Sequence, residues 1–300
     1  MKHLFYIPIA LLYLAGCSSQ EGNDSGTKKT AETTENPLLG SWELVSYIAE
    51  GDTTGQWSSY GDEILYQKHI TPTHFTWFRY NTTEDQLEGI GGGTYSYQDG
   101  IYTENIEFFL PPGSNELGQA IPFTVQFEGD TWLHKGYAKE MMIDEETGNM
   151  EVQDSSKIEE KWQRVTAQPN SNDLNVIGSW ELQSYRESDS EARMEYPGFI
   201  QYIKHITPTH FVWIKYDTEG DQVFESGAGT YTVANDKYIE SIKMMYPSGS
   251  GTVGTDIEFT YEMEDSLWYH MGYVNRININ EEGSPREDLL IDEAWKRIEK

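Results

Sequence analysis

Only one cysteine, Cys17, occurs among the 300 residues, so no disulfide can form within the chain and the core must hold the fold. Apolar runs are short, and none reaches the roughly 18 residues of a candidate membrane-spanning helix. Basic residues are few: 21 Lys and Arg against 50 Asp and Glu give a formal net charge of -29. Such a field repels nucleic acid and anionic lipid headgroups, so we predict no nucleic-acid partner. It attracts basic ligands, although solubility alone also explains it.

Motifs of catalysis and cofactor binding are missing as well. The chain has no H-E-x-x-H zinc motif, no nucleophile elbow and no Gly-rich phosphate loop between a strand and a helix. Gly91-Gly92-Gly93 precedes a predicted strand, which favours a bend or close packing of the backbone. We therefore expect no cofactor and no metal.

Large aromatic side chains are abundant instead. The chain has 20 Tyr and 9 Trp, and 37% of its residues are hydrophobic. This is too much apolar surface for a disordered protein. Tyr, Trp, Phe and Thr favour pleated, half-buried surfaces, so the composition predicts a β-rich fold.

The N-terminus has the pattern of a targeting segment. A basic residue, Lys2, precedes an apolar run from Leu4 to Leu14, and Leu14-Ala15-Gly16-Cys17 follows. This resembles the lipobox of bacterial lipoproteins. The resemblance implies that residues 1–16 are a lipoprotein signal peptide and that Cys17 carries diacylglycerol and a further acyl chain such as palmitate. An ordinary cleaved signal peptide is the alternative.

Lipids on Cys17 would hold the protein on a membrane, because two or more acyl chains give stable anchoring. Residues 17–37 are then the lipidated cysteine and a polar, flexible tether. Ser18, where an Asp would favour retention in the inner membrane, points to the outer membrane. We expect a lipid-anchored protein of the cell envelope, facing either the periplasm or the surface.

An internal repeat sets the domain organisation. Lys68–Phe75 (KHITPTHF) recurs unchanged as Lys204–Phe211, about 136 residues later. Both copies also contain Gly-Ser-Trp-Glu-Leu near the start and Trp-x-Arg near the end. The repeat predicts one domain at residues 38–165 and a second at 176–300, with a linker at 166–175.

Within each copy, short aromatic and β-branched segments alternate with Gly, Asp and Asn at hairpin spacing. Gln98-Asp99-Gly100 and Glu128-Gly129-Asp130 are predicted tight turns. One short helix is expected near residues 58–66 or 196–202. Many short strands in each copy predict a closed antiparallel barrel.

Two motifs at the ends of each copy resemble the lipocalin signature, a Gly-x-Trp on the first strand with an Arg on the last. The residues are Gly40, Trp42 and Arg164, and then Gly178, Trp180 and Arg297. The repeat is similar to lipocalin-like domains of secreted Bacteroidetes proteins. The resemblance implies an all-β chain of two tandem calycin-type barrels, in which these six residues are structural and the Arg packs across the Trp ring.

Several polar and aromatic side chains are candidates for a ligand site inside the barrels. On the strand after the Pro turn, His74 and Tyr80 share one face, while Phe75, Trp77 and Arg79 share the other, and either face could be the interior. An apolar pocket with a few convergent polar groups is typical of a small-ligand site. The candidates are His74, Tyr80, Tyr102, Glu104, Trp132 and His134, with His210, Tyr216, Tyr238, Glu240, Trp268 and His270 in the second copy.

The leading hypothesis is a lipoprotein without catalytic activity that binds a small, largely apolar or aromatic ligand in one or both barrels. A hydrolase or isomerase using His134 with Glu104, and His270 with Glu240, is the enzyme alternative. A third alternative is an interaction module with filled barrels. A further alternative is a heme-binding protein with His74 or His210 as the axial ligand. Two His and a Glu could also hold a metal. Structural roles remain open for every candidate: His74 and His210 could cap a turn, and Glu104 and Glu240 could pair with a neighbouring Arg or Tyr.

Overall fold

The computed structural model describes residues 36–49, 51–143, 150–166, 174–187, 190–279 and 283–299. The predictions for residues 1–16, for Cys17, and for most of the tether and linker fall outside these ranges. No helix in the described ranges is both long and apolar enough to cross a membrane. Apart from the 3₁₀ turn Leu174–Val176, the regular structure that these ranges contain is β-strand.

The first copy contributes nine strands. They are β1 (Gly40–Ile48), β2 (Trp57–Ser58), β3 (Ile64–Ile70), β4 (His74–Asn81), β5 (Gln86–Gln98), β6 (Ile101–Leu110), β7 (Ala120–Glu128), β8 (Thr131–Ile143) and β9 (Met150–Arg164). Consecutive strands from β3 to β9 pair antiparallel, and β1 pairs with both β3 and β9. The sheet therefore closes into an eight-strand barrel, called barrel 1 here, and the short β2 is an added edge on β1.

The second copy repeats this arrangement. Its strands are β10 (Gly178–Tyr185), β11 (Ile200–Ile206), β12 (His210–Asp217), β13 (Val223–Ala234), β14 (Lys237–Tyr246), β15 (Asp256–Thr260), β16 (Glu262–Glu264), β17 (Leu267–Ile277) and β18 (Arg286–Arg297). β10 pairs with β11 and β18, while β15 and β16 together border β17, so this sheet closes into barrel 2. The predicted fold class, all-β with two tandem antiparallel barrels, is confirmed.

The predicted short helix is wrong. Residues 64–70 and 200–206 form β3 and β11, which lie between the first strand and the strand after the Pro turn. The residues around Tyr66 and Tyr202 have no clear hydrophobic period that would distinguish a helix from a strand. Pairing on both sides supplies the backbone hydrogen bonds that an isolated segment would otherwise seek in a helix.

The glycine run in β5 does bring backbones close together, as predicted. A β-bulge lies between Gly92 and Gly93. Gly93 has a φ of 153°, and a Cβ there would lie 2.2 Å from the carbonyl oxygen of Asn105. The predicted turn at Asp99 and Gly100 has positive φ angles of 53° and 77°, which suit a tight hairpin.

The first strand of each barrel is tied to the last by a stacked Trp and Arg. Trp42 pairs with Arg164 across β1 and β9, and the guanidinium lies 4.1 Å from the centre of the indole ring. Arg164 also donates to the carbonyl oxygens of Leu39 and Pro37. In barrel 2 the guanidinium of Arg297 lies 4.2 Å from the indole ring of Trp180. Each pair closes one end of its barrel with a cation–π contact and hydrogen bonds to the incoming chain.

The two barrels share a buried interface and belong to one compact unit. Ser41 Oγ lies 2.6 Å from Thr207 Oγ1, and its repeat equivalent Ser179 lies 2.6 Å from Thr71. The interface is therefore close to two-fold symmetric. A continuous apolar cluster packs beside it, with members from both barrels: Phe78, Tyr80, Leu87, Ile90, Phe108 and Leu110, together with Ile203, Val212, Ile214, Tyr216, Val223, Ala228 and Met244.

Candidate functional site

The alternation of β4 decides which candidates face the barrel interior. Trp77 and Arg79 line the cavity of barrel 1, so the opposite face of β4 is directed at barrel 2. His74 lies on that opposite face, where its ring stacks on His205 with centroids 5.2 Å apart. His210 lies likewise against His69, at 5.4 Å.

Four of the predicted candidates therefore lie outside the barrel interiors: His74, Tyr80, His210 and Tyr216. Tyr80 and Tyr216 belong to the apolar cluster between the barrels, and the Tyr80 hydroxyl donates to Asp85. His74 Nδ1 lies 2.8 Å from Thr73 Oγ1, and His210 makes the same bond to Thr209. These bonds match the turn-capping alternative. Because both histidines are packed between barrels, they are not placed to hold a heme inside either one.

The other eight candidates come together in the interiors. In barrel 1 the centre is a buried ion pair, in which Lys68 Nζ lies 2.6 Å from Glu104 Oε1. The two side chains retain only 3% and 5% of their accessible area. The ammonium group lies within 6.0 Å of the ring centres of five aromatic residues: Phe75, Tyr102, Phe123, Trp132 and Trp162. Aromatic faces and a carboxylate thus replace the water that the ammonium loses on folding.

A second polar pair lies beside the first. His134 Nε2 is 2.6 Å from Glu160 Oε2, and Trp162 Nε1 donates to the same oxygen at 3.0 Å. Burial lowers the pKa of His134, and the ammonium of Lys68 lowers it further. Burial alone would raise the pKa of Glu160, but the bonds from His134 and Trp162, with the charge of Lys68, lower it overall. The pair is therefore a neutral imidazole donating to a carboxylate.

These four residues, Lys68, Glu104, His134 and Glu160, are called the first quartet. Barrel 2 contains the same arrangement, the second quartet, in Lys204, Glu240, His270 and Glu293. The two polar contacts measure 2.9 Å for Lys204 with Glu240 and 2.7 Å for His270 with Glu293. The pKa values of His270 and Glu293 are lowered for the same reasons as in barrel 1. Two independent copies of the fold thus keep one buried polar centre.

The first quartet forms the floor of a cavity of about 240 Å³. Aromatic and aliphatic side chains make up much of its walls, and two further charged residues, Arg79 and Glu116, also line it. The lining residues other than the quartet are Leu44, Tyr47, Tyr60, Tyr66, Trp77, Arg79, Phe109, Glu116, Ile121, Phe123 and Ile158. This volume lies below the several hundred Å³ of drug-sized sites, so it suits a small molecule.

The matching cavity of barrel 2 is only about 80 Å³. One paired position on the last two strands differs in side-chain size between the copies. Val274 pairs with Leu289, and both line this cavity, whereas the equivalent pair in barrel 1 is Ala138 with Ser156. The larger apolar side chains take up interior space, so barrel 2 has room for a fragment or a few waters.

In each barrel, a tyrosine from the loop before the second barrel strand stacks on a tyrosine of the first strand. Tyr60 stacks on Tyr47 with ring centres 4.7 Å apart, and its hydroxyl accepts a hydrogen bond from Arg79. In barrel 2, Tyr196 stacks on Tyr185 at 4.6 Å, beneath the ammonium of Lys215. Stacked phenol rings beside a cation therefore recur in both copies, and those of barrel 1 line its cavity.

Sequence reasoning missed half of each quartet. Lys68 and Lys204 lie in the unchanged run of the repeat, and Glu160 and Glu293 stand two residues before a repeated Trp, so the repeat itself marked them. The predicted pairing of His134 with Glu104 is not the one observed. Glu104 forms its ion pair with Lys68, and His134 is paired with Glu160. No group of three or more His, Cys, Asp or Glu within the described ranges is arranged to hold a metal ion.

One family model matches the second copy, and distant likenesses to solved structures extend over most of the chain. Residues 175–300 match a family model described as a domain of unknown function, DUF4488. No curated protein matches. An uncharacterized protein from Saccharomyces cerevisiae is 10% identical and has a TM-score of 0.45, over 87% of this chain and 98% of that one.

Two further solved structures are similar over most of this chain. A DUF3598-family protein of unknown function from Nostoc punctiforme has 10% identity and a TM-score of 0.22, over 87% of this chain and 97% of that one. A double mutant of transferrin binding protein B from Haemophilus parasuis has 6% identity and a TM-score of 0.25, over 82% of this chain and 63% of that one. Because these scores are low, the barrel fold is assigned from the strand pairing.

Proposed function

We propose that this chain is a lipocalin-like binding protein whose barrel 1 takes a small, largely apolar or aromatic ligand. The observation that carries the proposal is the cavity of about 240 Å³ above a buried polar floor. An aromatic wall with a few convergent polar groups is the usual form of a small-molecule site. The Trp42 and Arg164 stack supports the lipocalin-like assignment, because it joins the two signature motifs in one plug.

An open interior also favours binding over an interaction module with filled barrels. In such a module the side chains would occupy the space that barrel 1 leaves free. Barrel 2, with about 80 Å³, is closer to that description. We therefore assign the ligand to barrel 1 and expect barrel 2 to bind at most a smaller fragment.

Native mass spectrometry of the purified protein, followed by a thermal-shift panel of small aromatic and aliphatic compounds, tests the proposal. One ligand per chain is the expected stoichiometry. The matched variant is Ala138→Val with Ser156→Leu, which gives barrel 1 the residues of barrel 2 and should abolish binding. Val274→Ala with Leu289→Ser is the reverse exchange and should leave the first site unaffected. Absence of any bound compound in both experiments would refute the binding function.

We further propose that lipid on Cys17 anchors the protein in the cell envelope, at the outer membrane. The support is the sequence Leu14-Ala15-Gly16-Cys17 after a short apolar run. Metabolic labelling with a palmitate analogue should mark the wild-type chain and not Cys17→Ser, and only the wild type should fractionate with outer membranes. Equal membrane association of both chains would contradict an anchor at this residue.

A further inference from the structure

Each quartet carries a negative charge that its own cation does not balance. The charges of Lys68 and Glu104 cancel within their ion pair. Glu160 is ionised, because its pKa is lowered, while the buried His134 has a lowered pKa and is neutral near pH 7. One net negative charge therefore remains at the floor of the cavity, on Glu160. Its side chain keeps 15% of its accessible area and contributes to the cavity lining.

The remaining charged residues of the lining do not reverse this sign. Nearer the mouth of barrel 1, Arg79 is paired with Glu88 at 2.8 Å, and Glu116 adds a further carboxyl group. In barrel 2 the other charged lining residues are Glu225 and Arg276, which are of opposite sign. Both interiors are thus negative, and an ionised carboxylate in a low-dielectric site favours a positive ligand over a neutral one.

A second observation also points to a ligand that donates hydrogen bonds. Because Nε2 of His134 donates to Glu160, the neutral ring presents a lone pair at Nδ1. This Nδ1 atom is buried and has no hydrogen-bond partner among the described residues, and the same holds for Nδ1 of His270. Both histidines line their cavities. A buried acceptor without a partner is unfavourable, so a donor group on a ligand would satisfy it.

We propose that barrel 1 selects a small organic monocation, a protonated amine on an aromatic or aliphatic body, over neutral and anionic molecules of the same shape. This selectivity rests on the ligand-binding function proposed above and names its substrate class. The ammonium group would lie at the floor, near Glu160 and His134. Its apolar body would lie against Tyr66 and Trp77, whose ring faces also favour a cation.

The test is isothermal titration calorimetry of the full chain with three compounds that share a benzene ring and differ in charge: phenethylamine, phenethyl alcohol and phenylacetate. The amine should bind at least about tenfold tighter than the alcohol, which corresponds to about 1.4 kcal/mol. Phenylacetate should bind most weakly of the three. The wild-type ratios decide the matter even if a variant fails to fold.

Glu160→Gln removes the charge and keeps an acceptor for His134. The preference for the amine over the alcohol should fall to within about twofold, as expected when one interior charge is lost. The matched control is Glu293→Gln, the same change in barrel 2, which should leave the ratio for barrel 1 at its wild-type value. Circular dichroism of both variants confirms that the barrels are intact.

Two different results would overturn the inference. If the alcohol or the carboxylate binds as tightly as the amine, or if only neutral or anionic compounds of the wider panel bind, charge selection is refuted and ligand binding stands. If no compound of either set binds, the proposed function itself fails and the inference fails with it.

Discussion

Replacing Lys68 by Met tests whether the centre of barrel 1 is a true buried ion pair. Both partners are almost completely removed from solvent, with 3% and 5% of their area accessible. The substitution leaves the carboxyl group of Glu104 among aromatic rings without its cation. Breaking a buried pair in this way costs about 3–5 kcal/mol. Because a domain has only about 5–15 kcal/mol of stability, the loss should be plain in a urea unfolding curve followed by tryptophan fluorescence.

The double variant Lys68→Met with Glu104→Leu makes the prediction specific. It replaces both charges by apolar groups of similar size, so its free energy of unfolding should lie within about 1 kcal/mol of the wild type or above it. A double-mutant cycle of the wild type, Lys68→Met, Glu104→Leu and the double variant should give a coupling energy of about 3 kcal/mol or more. Lys204→Met repeats the experiment in barrel 2, where the pair is equally buried, with 3% and 4% accessible.

An exposed pair supplies the control. Lys237 and Glu258 also form an ion pair, but their side chains keep 50% and 55% of their area accessible. Lys237→Met should cost less than about 1 kcal/mol, because water screens such a pair. If Lys68→Met is equally mild, or if the double variant loses as much as both single variants together, the reasoning about the buried pair is refuted.

Three further substitutions have sharp expectations. Burial lowers the pKa of His210 from 6.5 to about 4, so between these pH values the unfolded chain binds a proton that the folded chain excludes. The free energy of unfolding should therefore fall as the pH is lowered through this range. His210→Asn should remove about 1.4 kcal/mol per pH unit of that slope, measured by urea unfolding at a series of pH values. Arg164→Lys removes the paired guanidinium hydrogen bonds to the backbone and most of the stacking on the Trp42 ring. The free energy of unfolding should therefore fall by about 1–2 kcal/mol. Unchanged stability would show that the contact between Arg164 and Trp42 is dispensable. Gly93→Ala should cost at least about 2 kcal/mol in thermal unfolding, because the added Cβ would lie 2.2 Å from the carbonyl oxygen of Asn105. The control Gly100→Ala, at a position with positive φ but open space around it, should cost only about 1 kcal/mol. Equal losses would contradict the steric argument.

Local features of the sequence were enough to predict the barrels. The unchanged run Lys68–Phe75 and its copy predicted two tandem barrels, and the Gly-x-Trp and Trp-x-Arg motifs marked the first and last strands that close each sheet. The segment Ile64–Ile70 was not recognised as a strand, because its character depends on pairing with β1 and β4 and not on its own residues. When the sheet closes into a barrel, it forms hydrogen bonds between residues far apart in sequence, and a short sequence segment gives no sign of them.

The candidate site was predicted only in part, for a related reason. The period of a strand tells which residues share a face, but not which face is inward, and β4 could be read in either sense. A lysine on a strand usually indicates a solvent-exposed position, so Lys68 was not considered for the interior. Its burial becomes visible only when the register brings Glu104 and the surrounding rings to the same level of the barrel.

The quartet raises a question that stability alone does not answer. A buried ion pair is seldom more stable than a well-packed apolar pair of the same volume. Yet both copies of this fold have the quartet, even though the nearby pair is Ala138 and Ser156 in barrel 1 and Val274 and Leu289 in barrel 2, and the two cavities differ in size. If the Lys68→Met, Glu104→Leu variant is as stable as the wild type, folding does not require these charges. Their placement beneath a cavity then favours a role in recognising a ligand, with the excess carboxylate of Glu160 as the group that sets its charge.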